Sequence, residues 1–190
     1  MKLTIDLETI GLPIEMKRFV FFDPSETKMY DNARIVQIGY IISDDNNNII
    51  KENSMIIKPD NFEVKNEHVH HISQKIAEEQ GQSMITVFET LKQDFKECDT
   101  IISHNLNFDY NVLMSEIIRY DEKELYQILF DMKKFCTMLE GQKRLKINKW
   151  PKLTHLVEQF FPNIIWNQKH EALDDAQYCF KCYVKLQDIK

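Results

Sequence analysis

An unbroken apolar run, Ile35-Val36-Gln37-Ile38-Gly39-Tyr40-Ile41-Ile42, leaves little freedom in what this chain can become. Its β-branched character predicts a strand. The turn-forming Asp44-Asp45-Asn46-Asn47-Asn48 follows, and a second such segment spans residues 49–57, so the two read as a hairpin. Residues 2–7 add another short strand, and Thr100-Ile101-Ile102-Ser103 a buried one. Helical spacing appears over 83–98 (Ile85, Phe88, Leu91, Phe95, with Ser83 as cap), 107–120 (Val112, Leu113, Ile117, Ile118) and 171–186 (Ala172, Ala176, Phe180, Tyr183, Val184). Residues 124–130 add a turn or two of helix before a short run at Phe135-Cys136-Thr137. Pro151 is expected in the first turn of a helix carrying Leu153, Leu156, Val157 and Phe160, which Pro162 and Asn163 stop. The connection from Gly11 to Arg34 has no periodicity that orders it, and its length marks it as functional or mobile. Strands mixed with helices in this order imply an α/β sheet with helices on its faces.

A chain of 190 residues, 43% hydrophobic, buries one sizeable core, so a single domain over 1–190 is expected. No stretch reaches the roughly 18 apolar residues of a membrane span. Cys98, Cys136, Cys179 and Cys182 are too sparse for a disulfide scaffold and read as reduced thiols of an intracellular, cytoplasmic protein. The Cys-x-x-Cys spacing of the last two falls within a helix, where buried thiols are the plainer reading than zinc. A net charge of −6 argues against holding nucleic acid chiefly by a basic surface, but not against carboxylates covered by cations.

Three clusters carry chemistry. Asp6 and Glu8, two apart on a strand, project from one face; Gly11 then lets the chain turn and leaves Leu12 beside the acids. Alone, the pair could be ordinary surface acids. Ser103-His104-Asn105-Leu106-Asn107-Phe108-Asp109 stands where a strand meets a helix, a place where α/β sheets assemble sites. Asp109 could equally favour the helix dipole there, with His104 and Asn105 satisfying loop backbone. His170-Glu171-Ala172-Leu173-Asp174-Asp175-Ala176 opens the last helix, whose periodicity turns Asp175 inward, where an unpaired carboxylate is costly.

Asp6-Leu7-Glu8-Thr9, His104 to Asp109 and His170 to Asp175 resemble, in order, the three exonuclease motifs of the DnaQ-like superfamily in its DEDDh branch. Val69-His70-His71-Ile72-Ser73 and Trp150-Pro151-Lys152-Leu153 resemble intermediate landmarks, so the resemblance covers nearly the whole chain. It implies a ribonuclease H-like fold with a central five-stranded mixed sheet flanked by helices. It implies a 3′-to-5′ exonuclease in which Asp6, Glu8, Asp109 and Asp175 hold two magnesium or manganese ions and His170 is the general base. Asp174 is left out by the family's spacing. Thr9, Leu12, His70, Asn105 and Phe108 would contact the terminal nucleotide. The implied partner is a nucleic-acid 3′ end, DNA ahead of RNA, with a polymerase as a further partner in a proofreading role and no membrane. An exoribonuclease or oligoribonuclease would use the same site. A non-catalytic binding module would be expected to have lost one of the five residues, and all are present. The chain departs from the pattern at Ile10, at His71 where glycine is frequent, and in its long connection from Pro13 to Ala33. Lys143, Arg144, Lys146, Lys149 and Lys152, interrupted by Trp150, form a basic stretch that reads either as a phosphate track or as a solvated loop.

Overall fold

The computed structural model describes residues 1–17, 20–166, 168 and 170–189; Arg18 and Phe19 of the long connection lie outside them. In chain order the elements are β1 (Lys2–Thr9), β2 (Glu15–Lys17), β3 (Val20–Phe21), a 3-10 helix (Thr27–Ala33), β4 (Ile35–Ser43) and β5 (Ile49–Ile56). Helices α1 (Glu67–His70), α2 (Gln74–Gln80) and α3 (Met84–Phe95) lead to β6 (Thr100–Ser103). Then come α4 (Leu106–Arg119), α5 (Lys123–Asp131), β7 (Lys133–Cys136), α6 (Thr137–Arg144), α7 (Leu153–Phe160) and α8 (Ala172–Gln187).

The five-stranded sheet has the order β5-β4-β1-β6-β7. β1 pairs antiparallel with β4 and parallel with β6, β4 pairs antiparallel with β5, and β7 runs parallel to β6, so the sheet is mixed as expected. The hairpin turn follows from Asp44, whose Oδ1 accepts from the N–H groups of Asn46 and Asn48, while Asn47 takes the left-handed φ of 64° that asparagine tolerates. β1 occupies the middle, flanked by β4 and β6, and helices cover both faces. Leu3, Ile5 and Leu7 point to a core built with Phe88 and Phe95 of α3, Leu113 of α4 and Leu125 of α5. On the opposite face Ile41 and Ile102 meet Leu156 of α7 and Phe180 and Tyr183 of α8. The latter face also carries Asp6 and Glu8, by the two-residue alternation of β1.

Arg34, at the cap of the 3-10 helix, is buried and makes a two-point salt bridge to Glu116 of α4, with Phe62 under its guanidinium at 4.6 Å. This pair ties the end of the long connection to the helix that carries Asp109. No described helix is long and apolar enough to cross a membrane.

Three local expectations need correction. Ile85 is exposed and the buried stripe of α3 runs through Met84, Val87, Phe88, Leu91 and Phe95, since Ile85 stands about 100° round the helix from Met84 and off that stripe. Pro151 precedes the Lys152 cap of α7 and so stands outside the first turn. The sequence reading did not anticipate α2 or α6, and the unordered connection contains β2, β3 and the 3-10 helix.

Candidate active site

At the carboxyl end of β1, Asp6 and Glu8 face the first turn of α8. What brings that turn down is Gly39, the β4 residue opposite Asp6. A Cβ there would lie 2.2 Å from the Ala172 carbonyl carbon and the Leu173 nitrogen, so only glycine allows backbone to rest on the sheet at this point. The contact is fixed by the Ala172 N–H donating to Gln37 Oε1 at 3.1 Å. Asp175, in the same turn of α8, is thereby lowered beside the β1 acids, 2% exposed. A register shift between Glu8 and Thr9 ends the regular ladder just past the second acid.

Asp109 arrives from the first turn of α4, after Asn105 takes a left-handed φ of 66°. Its Oδ1 accepts from the Leu7 N–H at 3.2 Å and its Oδ2 from the Ser103 hydroxyl, so β1 and β6 both aim it. His170 also has a left-handed φ, 52°, and is exposed at the lip. One donor atom each from Glu8, His170 and Asp175 lie within 4.8 Å of one another.

The electrostatics follow from four acids in one poorly hydrated place. Burial, then the charges of Asp175 and Asp109, pushes Glu8 up to about 8. Asp6 rises well above its ordinary value through burial and then the charges of Asp109, Asp175 and Glu8. Asp109 rises to about 7 by burial, opposed by its bonds from Ser103 and Leu7. Asp175 reaches about 7 by burial, opposed by the Gln168 amide that donates to its Oδ2 at 2.6 Å. Its other oxygen, Oδ1, is buried without a hydrogen-bond partner. A buried orphan oxygen among acids forced toward protonation is what a cation would satisfy, and carboxylate oxygens suit hard ions such as magnesium or manganese. His170 is lowered from 6.5 by burial and then by the like charge of His71.

The remaining anticipated contacts are placed as follows. Thr9 ends β1 with its hydroxyl donating to the Gly11 carbonyl at 2.6 Å. Leu12 is 71% exposed and therefore not a core residue. Phe108 is half-buried, edge-on to Phe21 of β3 at 6.2 Å between centroids. His70 is buried with both ring nitrogens engaged by its own loop: Nε2 donates to the Lys65 carbonyl and Nδ1 accepts from the Ile72 N–H. His71 has a left-handed φ of 59°, the conformation that makes glycine the easy residue there. Asp174 accepts from the Trp166 indole at 2.7 Å, an anchor for the approach to α8. Cys179 and Cys182 are buried and free.

Ser103, Gln168, Gln37 and Gly39 were missed. Gly39 had a signal, since a lone glycine inside an apolar strand marks a close backbone approach. The other three are recognisable only from their partners in space.

A model of the exonuclease family matches residues 3–183. No curated protein matches the chain in sequence. Among solved structures, exonuclease X in complex with 5′ overhanging duplex DNA is similar with a TM-score of 0.64 at 17% identity, over 99% of this chain and 92% of that one. E. coli exonuclease I in complex with a dT13 oligonucleotide gives 0.73 at 18%, over 99% of this chain and 41% of that one. The zinc-bound E. coli exonuclease I–ssDNA complex gives 0.70 at 19%, covering 98% and 42%. At these identities the likeness is one of fold, and the chain spans about two fifths of the length of exonuclease I.

Proposed function

The chain belongs to the exonuclease family and is a nuclease hydrolase of a divalent-metal-dependent kind; from that premise we propose that it removes nucleotides from DNA 3′ ends, single-stranded or frayed, as nucleoside 5′-monophosphates. The mutual electrostatic pressure among Asp6, Glu8, Asp109 and Asp175, beside an Asp175 Oδ1 left without a hydrogen-bond partner, is the observation that carries the reading. In it, Asp6, Glu8, Asp109 and Asp175 would hold two magnesium or manganese ions, Asp6 serving both, Glu8 and Asp175 the one nearer His170 and Asp109 the other. Bound there, such ions supply an acidified water and neutralise charge on the phosphate and the leaving 3′ oxygen. His170 accepts the water's proton on the ring nitrogen that faces Glu8 and Asp175. Partial burial, and then the like charge of His71, lower its pKa, which favours the neutral imidazole a base requires. The Ser103 hydroxyl and the Leu7 N–H hold Asp109 in one orientation. Thr9, exposed Leu12, Asn105 and Phe108 are assigned to the terminal nucleotide, with His70 shaping their loop. Supporting DNA as the substrate, the solved structures of similar fold include complexes with DNA oligonucleotides.

A time course on 5′-labelled DNA and RNA, with magnesium, with EDTA and with Asp6→Ala, tests this. Stepwise shortening from the 3′ end of DNA, lost in both controls, is expected. Shortening that persists in EDTA or in the variant would overturn the mechanism, and faster shortening of RNA would overturn the substrate.

A further inference from the structure

An open cleft of about 1080 Å³ runs from His170 between α6, α7 and the approach to α8. The basic stretch divides along it. Arg144 is committed to Glu140 and to the Leu186 and Ile189 carbonyls at the end of α8. Lys149 and Lys152 are instead exposed on the cleft wall, and neither enters an ion pair among the described residues. Trp150, 43% exposed, lies between them in sequence and lines the same wall.

His104 holds this wall in place. Its Nε2 is 3.0 Å from the Pro151 carbonyl, which can only accept, so Nε2 carries the proton. Burial pushes the ring down to about 4, so it is neutral and its Nδ1 accepts from the Thr137 hydroxyl at 3.0 Å. The segment carrying the lysines is thereby latched to the end of β6 and the start of α6, with Pro151 buried beneath it.

We infer that this cleft seats the nucleotide preceding the one removed, its base on the Trp150 face and its phosphates at Lys149 and Lys152, an assignment that rests on the exonuclease reading above. A strand whose last phosphodiester lies at His170 must continue over adjoining surface. In a chain of net charge −6, this wall combines uncommitted cations with an aromatic face next to the site. An aromatic platform beside lysines is how single strands are gripped without sequence preference.

The test uses the full chain carrying Asp6→Ala, in magnesium, and fluorescence anisotropy of 5′-fluorescein dT2, dT4 and dT8. Trp150→Ala should weaken dT8 on the order of 5- to 150-fold, and by a greater factor than dT2. Lys149→Ala with Lys152→Ala should flatten the slope of log affinity against log salt by about 1.4, while Lys149→Arg with Lys152→Arg retains it. Equal losses at every length, or an unchanged salt slope in a variant with native melting, overturn the inference. Wild-type hydrolysis is measured alongside: length-dependent binding with no hydrolysis sinks the exonuclease reading and leaves the cleft. Hydrolysis with no effect of these substitutions does the reverse.

Discussion

Glu8→Gln removes the proton uptake that folding imposes on a buried acid of the metal-free chain. Glu8 titrates at about 8 in the fold against an ordinary 4.5, because it is buried and faces Asp175 and Asp109. Folding therefore favours its protonated form. The cost is absent below about pH 4, grows as pH rises, and levels off above about pH 8. At about 1.36 kcal/mol per pH unit, it is roughly 3 kcal/mol at pH 7 and below about 1 kcal/mol at pH 5. Glutamine keeps the shape and drops the charge. For a chain of this size, about 2–4 °C per kcal/mol predicts that the variant melts about 6–12 °C higher than wild type in EDTA at pH 7. The two should converge near pH 4. Magnesium should raise the wild type and leave the variant nearly unmoved, since ligand binding to the native state stabilises only a protein that has the site. Differential scanning calorimetry at three pH values, with EDTA and with magnesium, reads all of this. A variant melting at or below wild type in EDTA at pH 7 and above would refute the reasoning, since the four acids would then not be in mutual repulsion.

Gly39→Ala should cost at least about 1–3 kcal/mol, because its methyl collides with backbone at Ala172 and Leu173, and urea titration checks it. The same substitution should weaken magnesium-dependent stabilisation, as Asp175 is lifted with α8. His170→Asn is expected to lower kcat about 10²–10⁴-fold with the magnesium-induced melting shift retained, which separates the base from the ligands. Glu116→Ala strands the buried Arg34 charge and should destabilise by about 3–5 kcal/mol, whereas Arg34→Met with Glu116→Leu should recover most of that in chemical denaturation.

The candidate site was largely legible because each of its clusters is local: Asp6 and Glu8 share a strand face, and Asp109 and Asp175 each stand in the first turn of a helix. The central strands were legible for a similar reason, as an apolar β-branched run such as Ile35 to Ile42 has no stable place outside a core. What escaped was short or held by distant partners. β2 and β3 are three and two residues long, too brief for a period to show. α6 carries Gly141 in mid-helix, which lowers helix propensity and hides the pattern. His104 bonds to Pro151, 47 positions away, so its part in shaping the cleft is invisible along the chain. The phase error at Ile85 came from choosing it over its neighbour Met84, which lies about 100° round the helix and on the stripe of Val87, Phe88, Leu91 and Phe95.

Asp6 lies on the first strand and Asp175 on the last helix, and the latter docks through the notch left by Gly39. Ribosomal synthesis delivers these in opposite order of completion: β1 emerges early, α8 late. A nascent chain therefore carries Asp6, Glu8 and Asp109 before Asp175 has been made. On the proposed reading of the site, the nascent chain stays inert toward nucleic acid until its final helix has settled onto the sheet.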